Sequence, residues 1–170
     1  MFIGLAALLL AAALEDRGHD CEVQAFSSNG RREVVTQPIK RFGEACGDPL
    51  VLARAQAVES RWSTRMGAAV RHAAAALGCR RGHARRVLLV TDGEPYDIDI
   101  HDPRYLVADL RHAVVESARQ GVFVACVNVG ASAMQGDGSP MRRAFAPAAY
   151  QAATHLADFP ASAAAALRAF

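Results

Sequence analysis

Strand-like and helix-like stretches alternate along almost the whole chain, and that alternation limits its fold more than any other feature. Val87 to Thr91 (VLLVT) and Val122 to Asn128 (VFVACVN) are apolar, β-branched runs, and a helix-like stretch from about Tyr105 to Gln120, stopped by Gly121, lies between them. Upstream, Met1 to Leu14 reads as a helix, Cys21 to Phe26 as a strand, Ser27-Ser28-Asn29-Gly30 as a tight turn and Arg31 to Thr36 as a second strand. Asn-Gly between two such runs signals an antiparallel hairpin. Pro38 to Gly47 reads as a loop, and Leu50 to Val58 as a short helix. Met66 to Leu77 reads as an alanine-rich helix ended by Gly78, with Ser63 or Thr64 placed to cap it. Gly130 to Gly138 reads as a surface loop, Ala149 to Thr154 as a short strand and Ala161 to Ala169 as a closing helix. The pattern predicts one α/β domain over residues 1–170: a mainly parallel sheet with helices on both faces and the hairpin at one edge.

Composition narrows the function classes. With 52% hydrophobic and 21% charged residues, a chain of 170 residues can bury a proper core, so disorder is not expected. A formal charge of +2, carried by scattered arginines with Lys40 the sole lysine, argues against a nucleic-acid partner. The four cysteines, Cys21, Cys46, Cys79 and Cys126, show no C-x-x-C spacing and read as small buried hydrophobes of a reducing cytoplasm. Met1 to Leu14 lacks a positive leading region, is too short to span a membrane and runs on into Glu15-Asp16-Arg17, so a buried helix is expected rather than a signal segment.

Chemistry is expected where the strand Val87 to Thr91 stops on Asp92 and breaks into Gly93 and Pro95, because open α/β sheets place ligands at the carboxyl ends of their strands. Thr64, before a helix, and Asp97, Asp99, His101 and Asp102, in the following loop, converge on the same edge. Carboxylates with a hydroxyl favour a hard cation such as magnesium over zinc. Plainer readings stand beside this one: Thr64 as a helix cap, Asp92 as a turn residue, and Asp97 to Asp102 as a solvated, partner-facing loop lacking the Gly and distal Glu of a calcium loop. The chain contains no G-x-S-x-G, H-E-x-x-H, phosphate-loop or dinucleotide motif, and His72 reads as a packing or surface residue. Two functions of different class follow: a binding domain without catalysis, or a small metal-assisted hydrolase using Asp92, Asp97, Asp99 and His101.

The segments Phe26-Ser-Ser-Asn-Gly-Arg31, Ser63-Thr-Arg-Met-Gly-Ala-Ala-Val-Arg-His72, Leu88-Leu-Val-Thr-Asp-Gly-Glu-Pro-Tyr-Asp-Ile-Asp99 and Asp102-Pro-Arg-Tyr-Leu-Val107 with Asp109 occur in that order over nearly the whole chain. Together they resemble the von Willebrand factor A domain at the carboxyl end of the NorD and CbbO proteins. The resemblance implies a Rossmann-like sheet of strand order 3-2-1-4-5-6. It also implies a metal-ion-dependent adhesion site built from an Asp-x-Ser-x-Ser motif after the first strand, a Thr matching Thr64 and an Asp matching Asp92. The first motif has no counterpart here, since Met1 already lies in what resembles the family's first helix. The domain is therefore expected to be amino-terminally incomplete and to lack its central strand. Two edges would then stand unpaired unless the strands Cys21 to Phe26 and Val87 to Thr91 close on each other, and magnesium binding by this chain alone is expected to be weak or absent. The family acts with a MoxR-type AAA+ ATPase on a target enzyme, nitric oxide reductase for NorD and ribulose bisphosphate carboxylase (Rubisco) for CbbO. The resemblance therefore implies a non-catalytic cytoplasmic adaptor. Glu94-Pro95 and Asp102 to Val107 are worded more like the CbbO branch, which puts Rubisco ahead of nitric oxide reductase as the expected target.

Overall fold

The apolar runs expected to be neighbouring strands do pair, in parallel and in register from Arg85↔Val122 to Thr91↔Asn128. The computed structural model describes residues 2–59, 62–80, 84–129, 140–146 and 149–169. Its helices are α1 (Phe2–Glu15), α2 (Pro49–Gln56), α3 (Met66–Gly78), α4 (Pro103–Arg119) and α5 (Phe159–Leu167). Its strands are β1 (Val23–Ser28), β2 (Val34–Lys40), β3 (Arg85–Thr91), β4 (Val122–Val129) and β5 (Tyr150–Ala153). The expected loop Gly130 to Gly138 lies outside the described residues.

Strands β3, β4 and β5 form a parallel sheet in that order, and β1 and β2 form a separate antiparallel pair. The hairpin is thus not an edge of the same sheet among the described residues, which corrects the single-sheet expectation, and β1 and β3 do not close on each other. Burial reflects this. In β4 the five residues Val124–Asn128 are buried without alternation, as in a strand covered on both faces, whereas β3, paired along one edge, buries only Leu89 and Thr91.

Helices α3 and α4 pack on each other and against this sheet, and α5 packs on β3, β4 and β5. Met66, Val70, Leu110, Ala113, Phe159 and Ala163 join the strands in the main core. A second, smaller core holds Leu8 and Ala11 of α1, Val23, Ile39, and Val51 and Ala55 of α2. Helix α1 serves both: Ala6 and Leu10 pack on the first core, Leu5 and Leu8 on the second. Its expected burial is only partial: among its described side chains Leu8 and Ala11 are buried, the others are partly covered or, like Leu9, exposed. Lys40, fully buried, ties β2 to this helix through Glu15 Oε1 at 2.6 Å and donates to the Cys21 carbonyl at 2.7 Å.

Element boundaries differ from the expected ones where a local backbone signal overrides the residue pattern. The hairpin connection is the five-residue stretch Asn29–Glu33 rather than a two-residue turn, with Gly30 in the left-handed region at φ 74°. Strand β2 continues through Pro38 to Lys40, which an edge strand tolerates because its outward side needs no N–H. The short helix starts earlier because Asp48 caps it, accepting from Leu50 N at 2.7 Å, with Pro49 in its first turn. All four cysteines are free thiols, but only Cys126 is buried, and Cys79 is exposed.

The close packing of α3 on α4 depends on Gly67. A Cβ there would lie 3.2 Å from the Asp109 carbonyl carbon and collide with its carboxylate, which is held by Arg71 Nη2 at 2.5 Å. Gly67→Ala is expected to destabilise the chain by about 1–3 kcal/mol through overpacking, read as a lower urea midpoint with an unchanged slope.

Candidate functional site

Three chain segments meet beyond the ends of β1 and β3: the hairpin end Ser28–Arg31, the stretch Ser63–Arg65 before α3, and the loop Asp92–Asp99 after β3. Their backbones are laced together. Ser28 and Ser63 exchange both N–H···O bonds at 2.8 and 2.9 Å, and Thr64 and Tyr96 do the same at 2.8 and 3.4 Å.

Buried charge fixes this junction. Asp97, 1% exposed, accepts from Arg65 Nε at 2.8 Å on one oxygen and from the Gly30 and Ile98 N–H groups, each at 2.8 Å, on the other. Arg65 is itself buried, and its guanidinium also pairs with Asp99, which accepts from Arg31 N at 2.8 Å. Burial raises the Asp97 pKa, but the Arg65 guanidinium, the Gly30 and Ile98 N–H groups and Ser28 outweigh it, and the carboxyl is held below its ordinary range. Gly30 is favoured by its positive φ of 74°, and a Cβ there would lie in van der Waals contact with the Asp99 carboxylate at 3.4 Å.

The candidate residues therefore separate into different roles. Asp97 is not part of a solvated loop face; it is turned inward because Arg65 needs a carboxylate in the interior. Asp99 is shared between Arg65 and the hairpin. Asp102 caps α4, accepting from Arg104 N at 3.0 Å while pairing with the Arg104 guanidinium. Thr64 does not cap α3, where the cap position is Arg65 without a side-chain bond; its hydroxyl donates to the Glu94 carbonyl at 3.4 Å. The hydroxyl serving the start of α3 is that of Ser28, which accepts from Arg65 N at 3.1 Å. Asp92 is exposed at the end of β3, and His101 is exposed in the following loop. His72 lies exposed on α3, its Nε2 3.5 Å from the Thr36 hydroxyl.

Among the described residues, no three His, Cys, Asp or Glu side chains come together as a metal group. Thr64 and Asp92 offer one hydroxyl and one carboxylate, a donor set too small for a tight divalent site. Arg65 is the functional residue that sequence pattern alone does not single out. The signal available was an arginine between two small polar residues and an apolar helix, with Asp97-x-Asp99 downstream.

No family model matches the chain. It is 36% identical to protein NorD of Stutzerimonas stutzeri over 159 residues, covering 86% of this chain and 26% of that protein. It is 38% identical to protein NorD of Brucella suis biovar 1 over 124 residues, covering 73% of this chain and 19% of that one. These relatives support a NorD family relation. The chain thus spans about a quarter or less of the NorD proteins it matches. Among solved structures, proximal thread matrix protein 1 from the mussel byssus superposes with a TM-score of 0.62 at 14% identity, over 98% of this chain and 41% of that one. BatB from Bacteroides thetaiotaomicron does so with 0.53 at 16%, over 98% and 89%. At such identities the likeness is one of fold.

Two outcomes are expected from the buried pair of Arg65 and Asp97. Arg65→Ala strands Asp97 as a buried charge and should cost about 3–5 kcal/mol in urea unfolding. Acid should act through the same carboxylate. Its folded pKa is depressed, so its contribution is present above the unfolded value near 4 and disappears as pH falls through the folded value. Stability curves between pH 6 and pH 2 should fall less steeply for Asp97→Asn than for the parent chain, and parallel curves would contradict this.

Proposed function

We propose that this chain is a von Willebrand factor A-type adaptor domain without catalysis of its own, which acts with a MoxR-type AAA+ ATPase to activate a target enzyme. The observation that carries the reading is the relation to NorD at 36–38% identity through the segments containing Arg65, Asp92 and Asp97. Strand order supports it as well. The orders β2-β1 and β3-β4-β5 are the ones a 3-2-1-4-5-6 sheet would have on either side of its first strand. The inward use of Asp97 and the pairing of Asp99 with Arg65 also weigh against the hydrolase alternative, which needs Asp92, Asp97, Asp99 and His101 as free chemical groups.

The target we favour is nitric oxide reductase. This reverses the expectation drawn from Glu94-Pro95 and Asp102 to Val107, because the NorD name belongs to relatives matched over most of the chain, while those few loop residues include a helix cap any branch could use. Magnesium, where it contributes, would be held by Thr64 and Asp92 with water completing its shell, and its binding to this chain alone would be weak.

Association decides the matter. Full-length chain, shown to be folded by circular dichroism, would be mixed with a MoxR-type ATPase and with either detergent-solubilised nitric oxide reductase or Rubisco, in magnesium and in EDTA. Co-elution with the ATPase and the reductase, little changed by EDTA, is the expected result. Co-elution with Rubisco alone would reverse the target, and co-elution with none of the three would sink the adaptor reading.

A further inference from the structure

The junction that buries Asp97 leaves three large apolar side chains in water. Trp62 is 56% exposed, Tyr96 61% and Ile98 58%. Each hangs from a fixed point: Trp62 directly precedes Ser63, which is bonded to Ser28; Tyr96 is bonded to Thr64; and Ile98 N–H is held by Asp97. Trp62 also has φ 56°, a left-handed conformation that a bulky residue adopts only at a cost. A strained, exposed tryptophan two residues from Thr64, with an exposed tyrosine and isoleucine on the loop bonded to Thr64, has the composition of an interface anchor rather than of ordinary surface.

Charge identifies what such an anchor would meet. The carboxylates on this edge are engaged: Asp97 and Asp99 with Arg65, Glu33 with Asn29 Nδ2 at 3.0 Å, Asp102 with Arg104, and Asp92 and Glu94 in contacts of their own. Arg31 and Arg32, both exposed on the hairpin connection, have no ion pair among the described residues, and the main chain of Arg31 is anchored to Asp99. The spare charge beside the apolar patch is therefore two guanidiniums, each able to take a carboxylate in bidentate fashion.

We propose that Trp62, Tyr96 and Ile98 with Arg31 and Arg32 form a docking surface for an acidic segment of a partner protein, one in which carboxylates flank an apolar anchor residue. The proposal rests on the adaptor reading for the existence of a partner, and it is independent of any metal.

Trp62 is the only tryptophan in the chain, so its emission reports directly on this surface. The full chain in EDTA would be titrated with a short synthetic peptide in which Asp and Glu flank a Leu-Phe pair. Parallel titrations would use the same peptide with Lys in place of the acids, and a single-stranded oligonucleotide. A saturable blue shift with the acidic peptide alone is expected, weakened about tenfold in the Arg31→Ala, Arg32→Ala double variant, whose exposed side chains can be removed without loss of fold. No shift, an equal response to the Lys peptide, a response to the oligonucleotide in its place, or unchanged affinity in the double variant would each overturn it. Co-elution with the ATPase alongside a silent peptide titration would leave the adaptor reading standing and remove this surface; binding of the peptide without co-elution would do the reverse.

Discussion

The interior salt bridge between Arg65 and Asp97 is the constraint on which the arrangement of this chain turns. Neither group could be buried alone, since an uncompensated charge in the interior costs several kcal/mol. Together, with the Gly30 and Ile98 N–H groups completing the carboxylate's bonds, they hold three segments distant in sequence at one point. The entry of α3, the exit of β3 and the tip of the hairpin all take their positions from it. A pair of this kind adds little net stability over an apolar substitute, and its value here lies in geometry: Arg65 reaches Asp97 only when Ser63 and Thr64 lie in line with Ser28 and Tyr96.

Element types were legible in the sequence because they rest on short-range signals. The apolar runs at Val87 and Val122, the stop at Gly78 and the hairpin around Gly30 each declare themselves within a few residues. Boundaries are less legible where a second signal competes: Pro38 suggests a loop although an edge strand admits proline, and Asp48 can read as a loop residue or as the cap it forms. The site was less legible for a different reason. Thr64, Asp92 and Asp97 to Asp102 were found as polar residues at a sheet edge, but whether a carboxylate faces water or the interior depends on its partner, and Arg65 lies 32 residues from Asp97. Periodicity carries no information about such a pair. The motif around Gly67 shows the same limit, since the requirement for glycine comes from Asp109 on another helix.

The separation of the two sheets gives the junction further weight. The β1–β2 pair and the β3–β4–β5 sheet share no strand among the described residues, so the halves are joined by what crosses between them. Helix α1 is one link, packing Ala6 and Leu10 on one core and Leu5 and Leu8 on the other, and its apolar contacts set distance without fixing direction. The Arg65–Asp97–Asp99 group is another, and it is directional. It ties the hairpin through the N–H groups of Gly30 and Arg31 to the loop leaving β3. Thr64 and Asp92 come to this edge on different segments. Thr64 is adjacent to Arg65 and strapped to Tyr96, while Asp92 sits at the end of β3. The Thr64 hydroxyl is thereby coupled to a buried pair that begins one residue away, because Arg65 bonds Asp97 and Asp97 belongs to the same loop as Tyr96, the residue that straps Thr64.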